Sequence, residues 1–332
     1  MTDIDETTTE NPVNSIPVGR QLLILAIILL LIFGAGYLPK FMASLEVTAA
    51  PDSPDAPIEN LIATVPDAVD SVEPFAEMAI GADAAFVWDV TAQKALYSKN
   101  PDRQLPLASI TKLMTALVAY ELVESDTPVP ITPEILTQDG YGDVNDGEIF
   151  SMKSILDLTL LNSSNDGAFA IASVTGSQLR ADDGPNAFVE AMNVRASELG
   201  LTQTFFRNPT GLDISMDESG AYSSARDVTF LMEHILTHYP QLIESTQETT
   251  AAISNTNGTR RAIDNTNPTV AQIEGLIGSK TGYTDLAGGN LTIAFDAALN
   301  RPIIVVVLGS SYSGRFRDVL ALSEEARSAV AR

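Results

Sequence analysis

The 332-residue chain has no cysteine, one tryptophan, two histidines and few basic residues, 19 against 43 acidic ones. The missing cysteine excludes disulfides and thiolate metal ligands and leaves the redox compartment open. The formal charge of −24 argues against a nucleic-acid partner, which would need a basic face. Lysine is scarcest where it becomes informative. The six are Lys40, Lys94, Lys99, Lys112, Lys153 and Lys280, so the second half of the chain holds a single ammonium group. With 45% hydrophobic and 6% aromatic residues the chain can still build a core, and its length suits one large domain or two small ones.

Lys112 lies in Leu105-Pro106-Leu107-Ala108-Ser109-Ile110-Thr111-Lys112-Leu113-Met114, continued by Thr115-Ala116-Leu117-Val118. Apolar residues at 110, 113, 114, 117 and 118 form the stripe of a helix buried on one face. Ser109 is expected to cap its start, and Ser109 and Lys112, three apart, share a face. A serine hydroxyl becomes a nucleophile when a neighbouring base takes its proton. A lysine can be that base once burial, nearby positive charge and the helix N-terminus lower its pKa. Alone, S-x-x-K more often marks a capped core helix with a surface lysine, since it occurs by chance in a chain of this size.

Two further elements follow in order: Ser163-Ser164-Asn165 and Lys280-Thr281-Gly282. S-x-x-K, S-x-N and K-T-G, in this order, are the three elements of the penicillin-recognising serine enzymes.

The N-terminal quarter has a different composition. Residues 1–21 are polar and acidic and read as a disordered tail. Residues 22–38 carry no charge and are flanked by Arg20 and Lys40, the pattern of one short transmembrane helix. Thr48-Ala49-Ala50 is the nearest candidate cleavage site and lies far downstream, so an uncleaved anchor is expected. Residues 39–77, rich in Pro, Asp and Ala, read as a spacer. The domain is expected over 78–332.

Within it, residues 84–90 and 94–98 read as a hairpin. Helices are expected at 154–161, at 168–174 with Asp166 as cap, at 186–199 stopped by Gly200, at 224–238 and at 315–331. Strands lead into Lys280, alternate at Leu291, Ile293 and Phe295, and run continuously over 303–308. An N-terminal hairpin and a C-terminal three-strand meander around inserted helices predict an α+β fold with one antiparallel sheet. His234 and His238 stand four apart, a spacing that can bind zinc. With no third ligand suggested, at a helix end where histidine suits the dipole, they read as structural.

Residues 78–330 resemble the transpeptidase-like domain of the D-alanyl-D-alanine carboxypeptidases, the low-molecular-mass penicillin-binding proteins. Beyond the three motifs, the similarity is carried by Leu199-Gly200-Leu201-Thr202, Phe206-Arg207-Asn208-Pro209-Thr210-Gly211-Leu212, Ser223-Ser224-Ala225-Arg226-Asp227 and Lys280-Thr281-Gly282-Tyr283-Thr284. The resemblance implies the β-lactamase/transpeptidase-like fold, a sheet covered by helices plus a helical lobe, with no cofactor and no metal. It implies that Ser109 forms an acyl-enzyme, that Lys112 activates it, that Ser163 relays a proton to the leaving D-alanine, and that Asn165 positions the substrate amide and Lys112. Lys280 and Thr281 would hold the terminal carboxylate, with Arg315 as a second cation. The backbone N–H groups of Ser109 and Tyr283 would form the oxyanion hole.

Peptidoglycan stem peptides and β-lactams are the partners this implies, with the domain held outside the bacterial cytoplasmic membrane. Two departures stand out: the anchor is N-terminal, and Ser164 replaces a common glycine. A D,D-endopeptidase would use the same motifs. A β-lactamase would need a second base, for which Glu190 and Glu198 are available, and a non-enzymatic anchored module would not need all three motifs intact.

Overall fold

The computed structural model describes residues 74–76, 78–140 and 143–331. The expected tail, the transmembrane helix 22–38 and nearly all of the spacer lie outside the described residues. Among the described residues no helix is long and apolar enough to cross a membrane. Phe75, at the end of the stretch read as spacer, packs on Tyr97 with ring centroids 5.4 Å apart.

Five strands form the main sheet: β1 (Ala84–Asp89), β2 (Lys94–Lys99), β3 (Leu276–Thr284), β4 (Gly288–Ala298) and β5 (Arg301–Ser310). Their order is β3-β4-β5-β1-β2, with every pair antiparallel. The predicted hairpin and meander are therefore both present, joined where β1 pairs with β5. In β5, Ile303, Val305 and Val307 belong to one buried cluster and Ile304, Val306 and Leu308 to another. The run is continuously apolar because both faces of the sheet are covered.

On one face lies the C-terminal helix Gly314–Val330, whose Val319, Leu322 and Ala326 meet the first of these clusters. On the other lies the helical lobe. It contains α1 (Lys112–Leu122), α2 (Met152–Leu161), α3 (Asn165–Leu179), α4 (Gly184–Glu198) and α5 (Ala225–His238); the C-terminal helix is α6. This is the expected α+β arrangement.

Two capping expectations are corrected. Ser109 does not cap α1, because a 3-10 turn, Ala108–Thr111, comes first and Ser109 lies inside it. Asp166 does not cap α3, which starts at Asn165; Ser164 caps it, its hydroxyl accepting from Gly167 N at 3.0 Å. A hydroxyl there satisfies one of the orphan N–H groups of the first turn, which a glycine could not do.

Candidate active site

The site forms where the edge strand β3 meets the turn carrying Ser109. Ala108, just before Ser109, has φ +49, and Ser163 has φ +65. Left-handed backbone at a residue with a Cβ costs roughly 1–3 kcal/mol and persists only when the surroundings impose it. Here they do. Asn290, fully buried in β4, donates its Nδ2 to the Pro106 and Leu107 carbonyls at 2.9 and 3.0 Å, and its Oδ1 accepts from Gly309 N at 2.8 Å. The segment entering the turn is thereby fastened to the sheet. Opposite, a Cβ on Gly282 would stand 2.8 Å from the Leu107 oxygen and 3.2 Å from Ile110 N. Glycine in K-T-G lets the strand touch the Ser109 turn.

Lys112 is fully buried. Its Nζ lies 2.8 Å from Ser109 Oγ, 2.7 Å from Asn165 Oδ1 and 2.8 Å from the Thr210 carbonyl. The last contact explains Asn208-Pro209-Thr210-Gly211. Asn208 Oδ1 accepts from Thr210 N and Gly211 N, its Nδ2 donates to the Leu212 carbonyl, and the turn aims the Thr210 oxygen at the lysine. Burial, and then the charge of Lys280, hold the Lys112 pKa well below that of a free lysine. A neutral amine has two N–H groups and one lone pair. Two of its three neighbours, an amide oxygen and a carbonyl, can only accept. The lone pair is left for Ser109, the one neighbour with a proton to give.

Asn165 in turn donates its Nδ2 to the Asp139 carbonyl at 2.5 Å, fixing which way its amide faces. Lys280, also buried, donates to Ser163 Oγ at 2.8 Å and to the Thr281 carbonyl at 3.0 Å. Burial and the adjacent Arg315 bring its pKa down to about 7. Its ammonium is therefore not permanent in the free protein.

The structure thus brings Ser109, Lys112, Asn165 and Thr210 into one cluster, with Ser163, Lys280 and Thr281 in a second, linked through the 163–165 turn. Arg315 comes near but faces differently: its Nη1 donates to the Gly282 carbonyl at 2.6 Å, and its guanidinium lies over the Tyr312 and Phe316 rings. Tyr283 is half-exposed at the rim, its ring edge-on to Tyr312 at 5.0 Å. Glu190 and Glu198 stay outside, exposed on α4 and paired with Arg180 and Arg195 at 2.7 and 3.0 Å.

His234 and His238 stack with centroids 4.4 Å apart, and Arg195 Nη2 donates to His234 Nε2 at 3.2 Å. Burial first, then His238 and Arg195, lower the His234 pKa. The sequence reading missed Asn290 and Thr266, whose Oγ1 is 2.6 Å from Thr281 Oγ1. An asparagine inside the apolar alternation of β4 was the available signal for the first.

Comparison with known proteins agrees with this geometry. The family model for D-alanyl-D-alanine carboxypeptidase matches residues 70–312. A D-alanyl-D-alanine endopeptidase of Pseudomonas aeruginosa is 34% identical over 70% of this chain and 72% of its own. A D-alanyl-D-alanine endopeptidase of Escherichia coli is 32% identical over 82% of this chain and 83% of its own. The crystal structure of penicillin-binding protein D2 from Listeria monocytogenes in its ampicillin-bound form superposes with a TM-score of 0.64, at 27% identity over 75% of this chain and 98% of that one. The chain belongs to the D-alanyl-D-alanine carboxypeptidase family.

Proposed function

We propose that the chain is a serine-type D-alanyl-D-alanine carboxypeptidase that removes the terminal D-alanine from peptidoglycan stem peptides and is acylated by β-lactams. The observation that carries this is the Lys112 amine, 2.8 Å from Ser109 Oγ with its other two partners acceptors only. Ser109 Oγ attacks the penultimate D-alanine carbonyl while its proton passes to Lys112 Nζ. Negative charge builds on the carbonyl oxygen, facing the backbone N–H groups of Ser109 and Tyr283; one such donor is typically worth about 3 kcal/mol in the transition state. The C–N bond breaks as Ser163 relays a proton to the departing amine, its own Oγ–H going to the nitrogen and the proton held by Lys112 replacing it, with Lys280, 2.8 Å away, stabilising that serine. Water then hydrolyses the acyl-enzyme.

Lys280 and Thr281 receive the terminal carboxylate. A carboxylate arriving there raises the Lys280 pKa, so binding takes up a proton. Arg315 adds positive field from behind the strand, consistent with its lying against the Gly282 carbonyl.

The test is mass spectrometry after incubation with a labelled penicillin and, separately, with a pentapeptide ending in D-Ala-D-Ala. An adduct on the Ser109 peptide and loss of one D-alanine support the reading; an adduct that survives Ser109→Ala sinks it. D,D-endopeptidase activity on cross-linked peptides is the second reading, favoured by two relatives above 30% identity that carry that name. A cross-linked dimer cleaved faster than the free pentapeptide would move it ahead. The same substrate places the domain outside the cytoplasmic membrane, tethered by residues 22–38. Protease added to intact spheroplasts should then release it, and full protection would invert the topology.

A further inference from the structure

A residue outside all three motifs touches the carboxylate side of the site. Thr266 follows the hairpin of strands Thr250–Ser254 and Arg260–Asp264, and its backbone is held on both sides. Its own N–H donates to the carbonyl of Leu161, the last residue of α2, at 3.1 Å. Asn265 before it donates its Nδ2 to the Thr246 and Glu248 carbonyls at 3.0 and 2.9 Å. Asn267 after it donates its N–H to Asn265 Oδ1 at 2.8 Å. The half-buried hydroxyl of Thr266 is thereby delivered to Thr281 Oγ1 at 2.6 Å.

Two hydroxyls at that distance share one proton between them, and the direction matters. Thr281 can donate to a substrate carboxylate only if its own proton is not spent on Thr266. The alternative acceptor for Thr266 is the Leu161 carbonyl at 3.4 Å, beyond the usual O–H···O range. The short bond forms with either hydroxyl as donor; with a carboxylate at Thr281, the arrangement in which Thr266 donates keeps that bond, gives up only the long Leu161 contact and leaves the Thr281 proton for the ligand. A hydroxyl that accepts one bond becomes a better donor of the next. Lys280, the other donor proposed for that ligand, has two of its N–H groups committed to Ser163 and the Thr281 carbonyl. Arg315 is turned to Gly282.

We propose that Thr266 is a positioning residue for carboxylate recognition: its hydroxyl sets the direction of the Thr281 hydroxyl and so the preference for a free C-terminus. This rests on the reading that Lys280 and Thr281 receive the terminal carboxylate, and the experiment separates the two.

Hydrolysis of a short peptide ending in D-Ala-D-Ala is compared with that of its C-terminal amide, in the full chain and in Thr266→Val, Thr266→Ala and Thr266→Ser. The expected result is a kcat/KM loss of about tenfold on the free acid for the Val and Ala variants, the size of one hydrogen bond to a charged group. On the amide the loss is no more than about twofold, and Ser restores the wild-type preference. Valine keeps the shape and alanine removes it, so a packing defect in one does not mimic the other. Equal losses on both substrates would show a merely structural residue, and an unchanged preference in Thr266→Val would show that Thr281 needs no partner; either overturns the proposal. If the wild type itself does not prefer the free acid, the carboxylate reading falls, and this proposal with it.

Discussion

Replacing Lys280 by methionine should make the protein's stability less dependent on pH, by an amount the structure sets. The Lys280 pKa falls from 10.5 for a free lysine to about 7, because burial penalises its charge and Arg315 repels it. Between those values the unfolded chain carries a proton that the folded chain does not, so stability must rise with pH across the window. The penalty is fully present below pH 7 and is relieved as pH climbs towards 10.5. Each pH unit inside the window is worth about 1.4 kcal/mol, and the whole of it roughly 5 kcal/mol, comparable with the total stability of many domains. Lys112, lowered first by burial, adds a slope of the same sign in both proteins that the comparison removes; the part of its shift owed to Lys280 is absent from the variant and can only widen the difference. Urea unfolding can be followed through Trp88, the single tryptophan, which stacks on Phe86 and meets Phe230 edge-on inside the fold. Between pH 7.5 and 9.5 the wild type should gain about 2.5 kcal/mol more than Lys280→Met. Equal gains in the two proteins would mean that Lys280 keeps its proton when folded, and the argument for a titrating carboxylate cradle would be wrong.

Three more outcomes follow. Lys112→Arg should slow acylation by a labelled penicillin at least about a thousandfold, since a guanidinium stays charged and cannot take the serine proton; near-normal labelling would point to another base. Gly282→Ala should keep the far-ultraviolet spectrum yet lose about a hundredfold in acylation rate, because the new methyl, 2.8 Å from the Leu107 oxygen, pushes β3 off the nucleophile turn. Ser164→Ala should cost about 1 kcal/mol in urea unfolding while Ser164→Gly costs only a few tenths, the pattern of a helix cap; equal effects would count against that role.

The sheet was legible because its signals are local. Alternation at Leu291, Ile293 and Phe295 and the run 303–308 marked two strands, and Asn300, at φ +53, lies in the turn between them. The three motifs named the site because their order survives even though the residues are far apart. What stayed hidden was either strain or distance. Nothing in Ala108 or Ser163 announces a left-handed backbone, because the fold imposes it from outside. So the 3-10 turn before α1 was not foreseen, and Ser109 was given a cap's role. Asp166 was read as the cap where Ser164 takes that place; both are good cap residues, and a shift of two residues lies within the blur of periodicity. Thr210, Asn290 and Thr266 act across 98, about 180 and 15 positions, through backbone or hydroxyl contacts that no local pattern encodes.

The two buried lysines belong to one electrostatic argument. On the proposed reading Lys112 must be neutral to accept a proton and Lys280 charged to hold a carboxylate, yet both lie in the same low-dielectric region and each charge disfavours the other. A site with two permanent ammoniums would resist folding; one with two free amines would not bind its substrate. On that same reading the conflict is resolved by order of events. In the free protein Lys280 sits near its midpoint at neutral pH, and the incoming carboxylate draws a proton onto it. That new charge acts on Lys112 in the direction that keeps it neutral, when Ser109 next needs a base. The substrate then completes the field that activates the nucleophile attacking it, and a ligand without the carboxylate forfeits both the contact and the activation.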